Sequence, residues 1–166
     1  MIGNDKARDA SEWLATPLGR YLLAREPGAP KTSRHQVDMM SGMTHFTIHA
    51  DGGSRGNPGP SGAGAMIRDH LGNSVASVSK FLGHRTNNFA EYEAVILAFE
   101  ELAKLVPQAK KGAINVSVKL DSELIVKQMN GVYKIKHPVM KAQYARLMQA
   151  ASAFGKVTFT HVFRAE

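Results

Sequence analysis

The strongest constraint on the fold is a pattern that occurs twice. Phe46, Ile48 and Ala50 alternate with Thr47, His49 and Asp51, and later Ile114, Val116, Val118 and Leu120 alternate with Asn115, Ser117, Lys119 and Asp121. Such period-two alternation marks a strand with one buried face, and each stretch closes on an aspartate. Between the two lie a glycine-rich turn at 52–62, a strand near 63–68, a turn at 70–73, a strand near 74–81 and a helix at 88–106. The short links make the first three strands antiparallel neighbours. The helix carries Val95, Ala98 and Leu102 on one stripe with Glu91; Asn87 or Asn88 is its expected cap, and Pro107 stops it. A right-handed crossover then returns the fourth strand, parallel, to the side of the first. Short helices at 122–130 and 138–154, ended by Gly131 and Gly155, and a last strand near 156–163 complete an α/β pattern without internal repeats.

A chain of 166 residues suits one compact domain with an appendage. Residues 1–42 are the appendage: a short helix with the stripe Leu14, Leu18, Tyr21 and Leu22, started by Thr16 and Pro17, then a linker at 26–41. The domain runs from Met43, a natural start, to Glu166. With no cysteine, a metal site must use oxygen or imidazole ligands, and the expected setting is reducing and cytoplasmic. The most apolar N-terminal run, 13–24, is broken by Pro17 and Arg20, so neither a signal peptide nor a membrane span is expected. The formal net charge is +7, and residues 1–42 contribute only 6 basic against 5 acidic groups. The basic excess therefore belongs to the domain, which fits a polyanionic partner.

Two aspartates at the carboxyl ends of adjacent parallel strands, with a glutamate one turn into the intervening helix, converge on one edge of the sheet. Carboxylates so close repel one another unless cations join them. Mg²⁺ favours such oxygen ligands, and a pair of ions about 3.5–4 Å apart suits in-line phosphoryl displacement. Each residue alone also has an ordinary reading. Asp121 could cap the next helix, Asp51 and Gly52 could form a turn, and Glu91, like its neighbour Glu93, could be a solvated helix charge.

The flanking wording is more specific. The segments at 51–64 (DGGSRGNPGPSGAG), 86–94 (TNNFAEYEA) and 120–134 (LDSELIVKQMNGVYK) closely resemble the three signature segments of type 1 ribonuclease H, in the family's order and on the expected elements. The resemblance covers roughly 44–164. It implies a ribonuclease H-like fold, a five-stranded mixed sheet of order 3-2-1-4-5 flanked by helices. It also implies a monomeric endonuclease that cuts the RNA strand of RNA–DNA hybrids by a two-metal mechanism, leaving 5′-phosphate and 3′-hydroxyl ends. By that resemblance Asp51, Glu91 and Asp121 are the catalytic residues and the ligands of Mg²⁺ or Mn²⁺. Gly52, Ser54, Asn57, Asn87 and Asn88 belong to the substrate face, the asparagines reading the minor groove and the RNA 2′-hydroxyls. Thr86 holds a phosphate of the DNA strand, Arg164 lies near the site, and His84, Arg85, Lys134, Lys136 and His137 are candidate helpers.

The chain departs from the family pattern in two places. The stretch from Tyr133 to Pro138 leaves no room for the long basic protrusion of some members, so the resemblance is to the compact bacterial and archaeal subgroup. Some of that subgroup also cut RNA–RNA duplexes, making duplex RNA a second expected partner. The sequence also ends before the family's final helix, whose first turn carries a fourth carboxylate; Glu166 falls too early to be that acid. The expectation is either a fragment or impaired turnover, and the alternative function is a catalytically weakened hybrid- or duplex-binding module. His45, His49 and His161 read as structural, and the stripe Met140, Tyr144, Leu147 and Met148 reads as core.

Overall fold

A computed structural model of the chain describes residues 44–163; the short helix and linker expected within 1–42, and Arg164, lie outside them. Strands β1 (His45–Ser54), β2 (Gly59–Asp69) and β3 (Ser74–Arg85) are followed by helix α1 (Asn87–Leu105) and a 3₁₀ turn (Gln108–Ala113). Strand β4 (Asn115–Leu120), helices α2 (Glu123–Met129) and α3 (Pro138–Ala151) and strand β5 (Val157–His161) complete the order. The sheet runs β3-β2-β1-β4-β5, antiparallel on the β3 side and parallel on the β5 side, as the alternation and the crossover require.

The alternation sorts the faces. Phe46, Ile48, Val116 and Val118 point inward and are fully buried, with Ala65 and Ile67 of β2 beside them. Helix α1 packs across β1, β2 and β3, and α3 packs on α1. Tyr92, Ile96, Phe99 and Leu102 join the same cluster, and α2 adds Ile125, Val126 and Met129. Burying each such large side chain contributes about 1.5–3 kcal/mol. Met140 and Leu147 are buried and Tyr144 and Met148 half-buried, so that stripe is core as expected. The opposite positions His45, Thr47, His49, Ser117 and Lys119 are half-buried or exposed. No described helix is long and apolar enough to cross a membrane.

Several local expectations are corrected. Strand β1 does not stop at Asp51: it stays in register through Gly52↔Ala63, Gly53↔Gly62 and Ser54↔Ser61. The glycine-rich stretch is therefore a paired hairpin with a tight tip at residues 55–58, closed by Arg55 N–H donating to the Pro60 carbonyl at 2.8 Å. Gly59 suits that tip, because a Cβ there would lie 1.8 Å from the Arg55 carbonyl oxygen. Thr86, rather than Asn87 or Asn88, caps α1; its Oγ1 accepts from Phe89 N–H at 3.2 Å. Ser122, rather than Asp121, caps α2, accepting from Ile125 N–H at 3.4 Å.

Candidate active site

The parallel register of β1 and β4 runs from His45↔Asn115 to His49↔Lys119. Continued by two residues, it sets Asp121 opposite Asp51. A close approach brings the third carboxylate in. A Cβ on Gly52 would lie 2.2 Å from the Ala90 carbonyl carbon and oxygen and 2.5 Å from Glu91 N. Only a glycine lets β1 lie against the α1 backbone there. The residue after Asp51 thus touches the peptide that carries Glu91, and three half-buried carboxylates arise at one sheet edge.

What converges is the backbone. Asp51, Glu91 and Asp121 each interact with other groups, and among the described residues no three acidic or imidazole groups form a ready-made metal set. The donor chemistry, three hard carboxylates on rigid elements, still fits Mg²⁺ or Mn²⁺.

The expected substrate residues lie beside this edge and are joined to one another. Ser54 N–H donates to Asn87 Oδ1 at 2.7 Å, and Asn87 N–H donates to Asn57 Oδ1 at 3.1 Å. Ser54 Oγ donates to the Gly56 carbonyl at 2.5 Å. The amide oxygens of Asn57 and Asn87 accept inside the protein, which leaves their NH₂ groups as donors to an arriving ligand. Thr86 Oγ1 accepts the capping bond and keeps its own proton to donate. Asn88 is half-buried beside them, and the Arg85 guanidinium rests over the Phe89 ring at 4.5 Å. His84 is exposed, as are Lys134 and Lys136 in the link between α2 and α3. His137 has a local task instead: its Nδ1 accepts from Val139 N–H at 3.2 Å and caps α3.

Burial first, then the neighbouring charges of Arg68 and Lys119, push the His49 imidazole below its ordinary pKa. His45 Nε2 meets Ser117 Oγ at 3.3 Å, in keeping with a structural role.

Two anchors of α1 escaped the sequence reading. Glu93 is only 6% exposed. It accepts from Gln143 Nε2 and Arg146 Nη1 of α3, both at 2.8 Å. Burial alone would raise its pKa, but those two hydrogen bonds and the Arg146 charge outweigh it and hold the carboxyl below its ordinary value. Tyr92, fully buried, donates its hydroxyl to Gln128 Oε1 of α2 at 3.0 Å, and burial raises its pKa. The available signal was the apolar run Tyr92, Ala94, Val95, Ile96, Ala98 and Phe99, which circles α1 and marks a helix buried nearly all round.

Comparison with known proteins agrees with this geometry. The reverse transcriptase-like family profile matches residues 49–166. A bifunctional protein of Mycobacterium tuberculosis is 41% identical over 119 residues, 71% of this chain and 31% of that protein. The solved N-terminal RNase H domain of that mycobacterial protein, a fusion with maltose binding protein, has a TM-score of 0.67 at 38% identity, covering 73% of this chain and 88% of that one. Ribonuclease HI of Halobacterium salinarum is 35% identical over 120 residues, 71% of this chain and 57% of that protein. A type 1 ribonuclease H isolated from compost by a metagenomic approach, crystallised with an RNA/DNA hybrid, has a TM-score of 0.67 at 42% identity, covering 72% of this chain and 86% of that one. The chain thus spans about a third to somewhat over half of these curated relatives. By profile, sheet order and these likenesses, the chain belongs to the reverse transcriptase-like family and carries an RNase H-like domain.

Proposed function

We propose that this domain is a divalent-metal-dependent endoribonuclease that hydrolyses the RNA strand of RNA–DNA hybrids. The observation that supports the reading is that the strand register and the Gly52–Ala90 approach bring the backbones of Asp51, Glu91 and Asp121 to one end of the sheet. The relative crystallised with an RNA/DNA hybrid supports the substrate class. In this reading Asp51, Glu91 and Asp121 hold two Mg²⁺ or Mn²⁺ ions, which when bound supply an activated water and stabilise the departing 3′ oxygen. The chain's own work is orientation. The outward NH₂ groups of Asn57 and Asn87 donate to acceptors in the minor groove, including 2′-hydroxyl oxygens that only the RNA strand offers. The Thr86 hydroxyl proton and the Arg85 guanidinium face phosphates of the other strand. Gly52, having no side chain, keeps the edge open and in contact with α1.

Cleavage of an end-labelled RNA–DNA hybrid in Mg²⁺ and in Mn²⁺ tests this, with Asp51→Asn alongside. Product with 5′-phosphate ends, lost in the variant, is expected. Tight hybrid binding without product in either ion would replace the enzyme by a hybrid-binding module. A parallel duplex RNA substrate decides whether cutting extends beyond hybrids.

A further inference from the structure

Asp121 lies one residue beyond the last ladder pair, Leu120↔His161, at the point where the chain leaves the sheet for α2. Beyond a ladder, a carbonyl can take a side-chain donor as well as a backbone one. His161 Nε2 lies 3.2 Å from the Asp121 carbonyl oxygen. A carbonyl can only accept, so the imidazole must carry its proton on Nε2. The ring is half-buried and stands edge-on to Phe163, with centroids 5.0 Å apart at 65°. The backbone beside it is also held, since Val162 N–H donates to the Leu120 carbonyl at 2.8 Å. At the other end of α2, the C-cap residue Asn130 donates from Nδ2 to the Phe159 carbonyl at 3.1 Å.

We infer that His161 is a positioning residue for Asp121: its Nε2–H fixes the peptide plane between Asp121 and Ser122, and with it the direction in which the Asp121 carboxylate leaves the backbone. Asp51 has no need of such a device, because its own peptide continues in the β1–β2 ladder at Asp51↔Gly64. This role rests on the reading of Asp121 as a metal ligand. His161 itself touches neither metal nor substrate in this account, so its loss acts on turnover and metal affinity and leaves hybrid affinity alone.

The test uses the full chain and two variants. His161→Phe keeps the ring against Phe163 and removes the donor, whereas His161→Gln returns an N–H at about the same reach. In H161F, kcat is expected to fall about tenfold with KM for the hybrid within about twofold, because a misplaced group costs turnover before binding. The calorimetric Mn²⁺ affinity should fall with kcat, and H161Q should recover most of both. Amide exchange at Ser122 and Glu123, which needs neither metal nor substrate, should accelerate in H161F and slow again in H161Q. Wild-type kcat, Mn²⁺ affinity and exchange in H161F would overturn the inference. A wild-type chain that neither binds Mn²⁺ nor cleaves would instead sink the metal-site reading, with the exchange measurement still deciding the tether. Should H161F not fold, the imidazole nitrogen shifts of the wild type decide: a protonated Nε2 is expected, and a bare Nε2 with the proton on Nδ1 would overturn it.

Discussion

The two aspartates that end similar stretches of sequence are held in different ways. Asp51 sits inside a ladder: its strand continues for three residues into a paired hairpin, and the next residue lies against the backbone of α1. Asp121 sits just after a ladder, in a turn held by the Ser122 cap on one side and His161 on the other. The first carboxylate is presented by continuous sheet and the second by two local hydrogen bonds. A site built this way has one rigid wall and one adjustable wall.

The broadest break in that comparison is to remove each carboxylate in turn. Asp51→Asn and Asp121→Asn should each reduce kcat on a hybrid about a thousandfold, or about 4 kcal/mol of barrier, if both walls serve one site. A variant that retained near-normal cleavage would show that its wall is not part of the site. The rigid wall is probed next by Gly52→Ala. Its methyl group would enter the Ala90 peptide, so a loss of about 3 kcal/mol of unfolding free energy, obtained from urea denaturation, is expected.

A smaller effect is expected at the support of α1. Glu93→Gln should cost about 2 kcal/mol at neutral pH, since it removes the charge from the buried carboxylate that accepts from Gln143 and Arg146 and leaves the half-exposed Arg146 only the Glu100 carboxylate, at 4.0 Å. The folded pKa of Glu93 is lowered, so its contribution is complete above the ordinary value of 4.5 and is lost as pH falls through the folded value. Wild type and E93Q should therefore converge in stability on acidification. Divergence in acid would reverse the assignment. The smallest effect belongs to the adjustable wall. Ser122→Ala should cost about 1 kcal/mol, with faster amide exchange at 121–123 and unchanged exchange at Asp51.

The sheet order, and with it the backbone placement of Asp51 and Asp121, was legible because it depends on alternation and chain direction, which Phe46 to Asp51 and Ile114 to Asp121 display openly. The hairpin was less so. Gly52 to Gly62 has the composition of a turn, and nothing in a run of glycines tells whether the backbone is paired. The cap of α1 was misplaced by one or two residues for a related reason: Thr86, Asn87 and Asn88 are all competent, and the choice depends on where the strand releases the chain. Glu93 and His161 were read as ordinary because their partners, Gln143, Arg146 and the Asp121 carbonyl, lie 40 or more residues away in sequence. Whether Asp51, Glu91 and Asp121 close on an ion is a matter of side-chain torsions, which neither the alternation nor the helical stripe reports.

The bond from Asn87 N–H to Asn57 Oδ1, and that from Ser54 N–H to Asn87 Oδ1, couple the hairpin tip to the first turn of α1. Immobilising a side chain during association usually costs about 0.5–1.5 kcal/mol. At this edge that entropy is surrendered when the chain folds, before any duplex arrives. A ligand whose acceptors match the spacing of the two amide groups gains their hydrogen bonds nearly in full, whereas one whose groove is too wide has no mobile tip to reach for it. Under the proposed function, these two bonds would therefore favour a duplex of matching groove width without any further contact to a base.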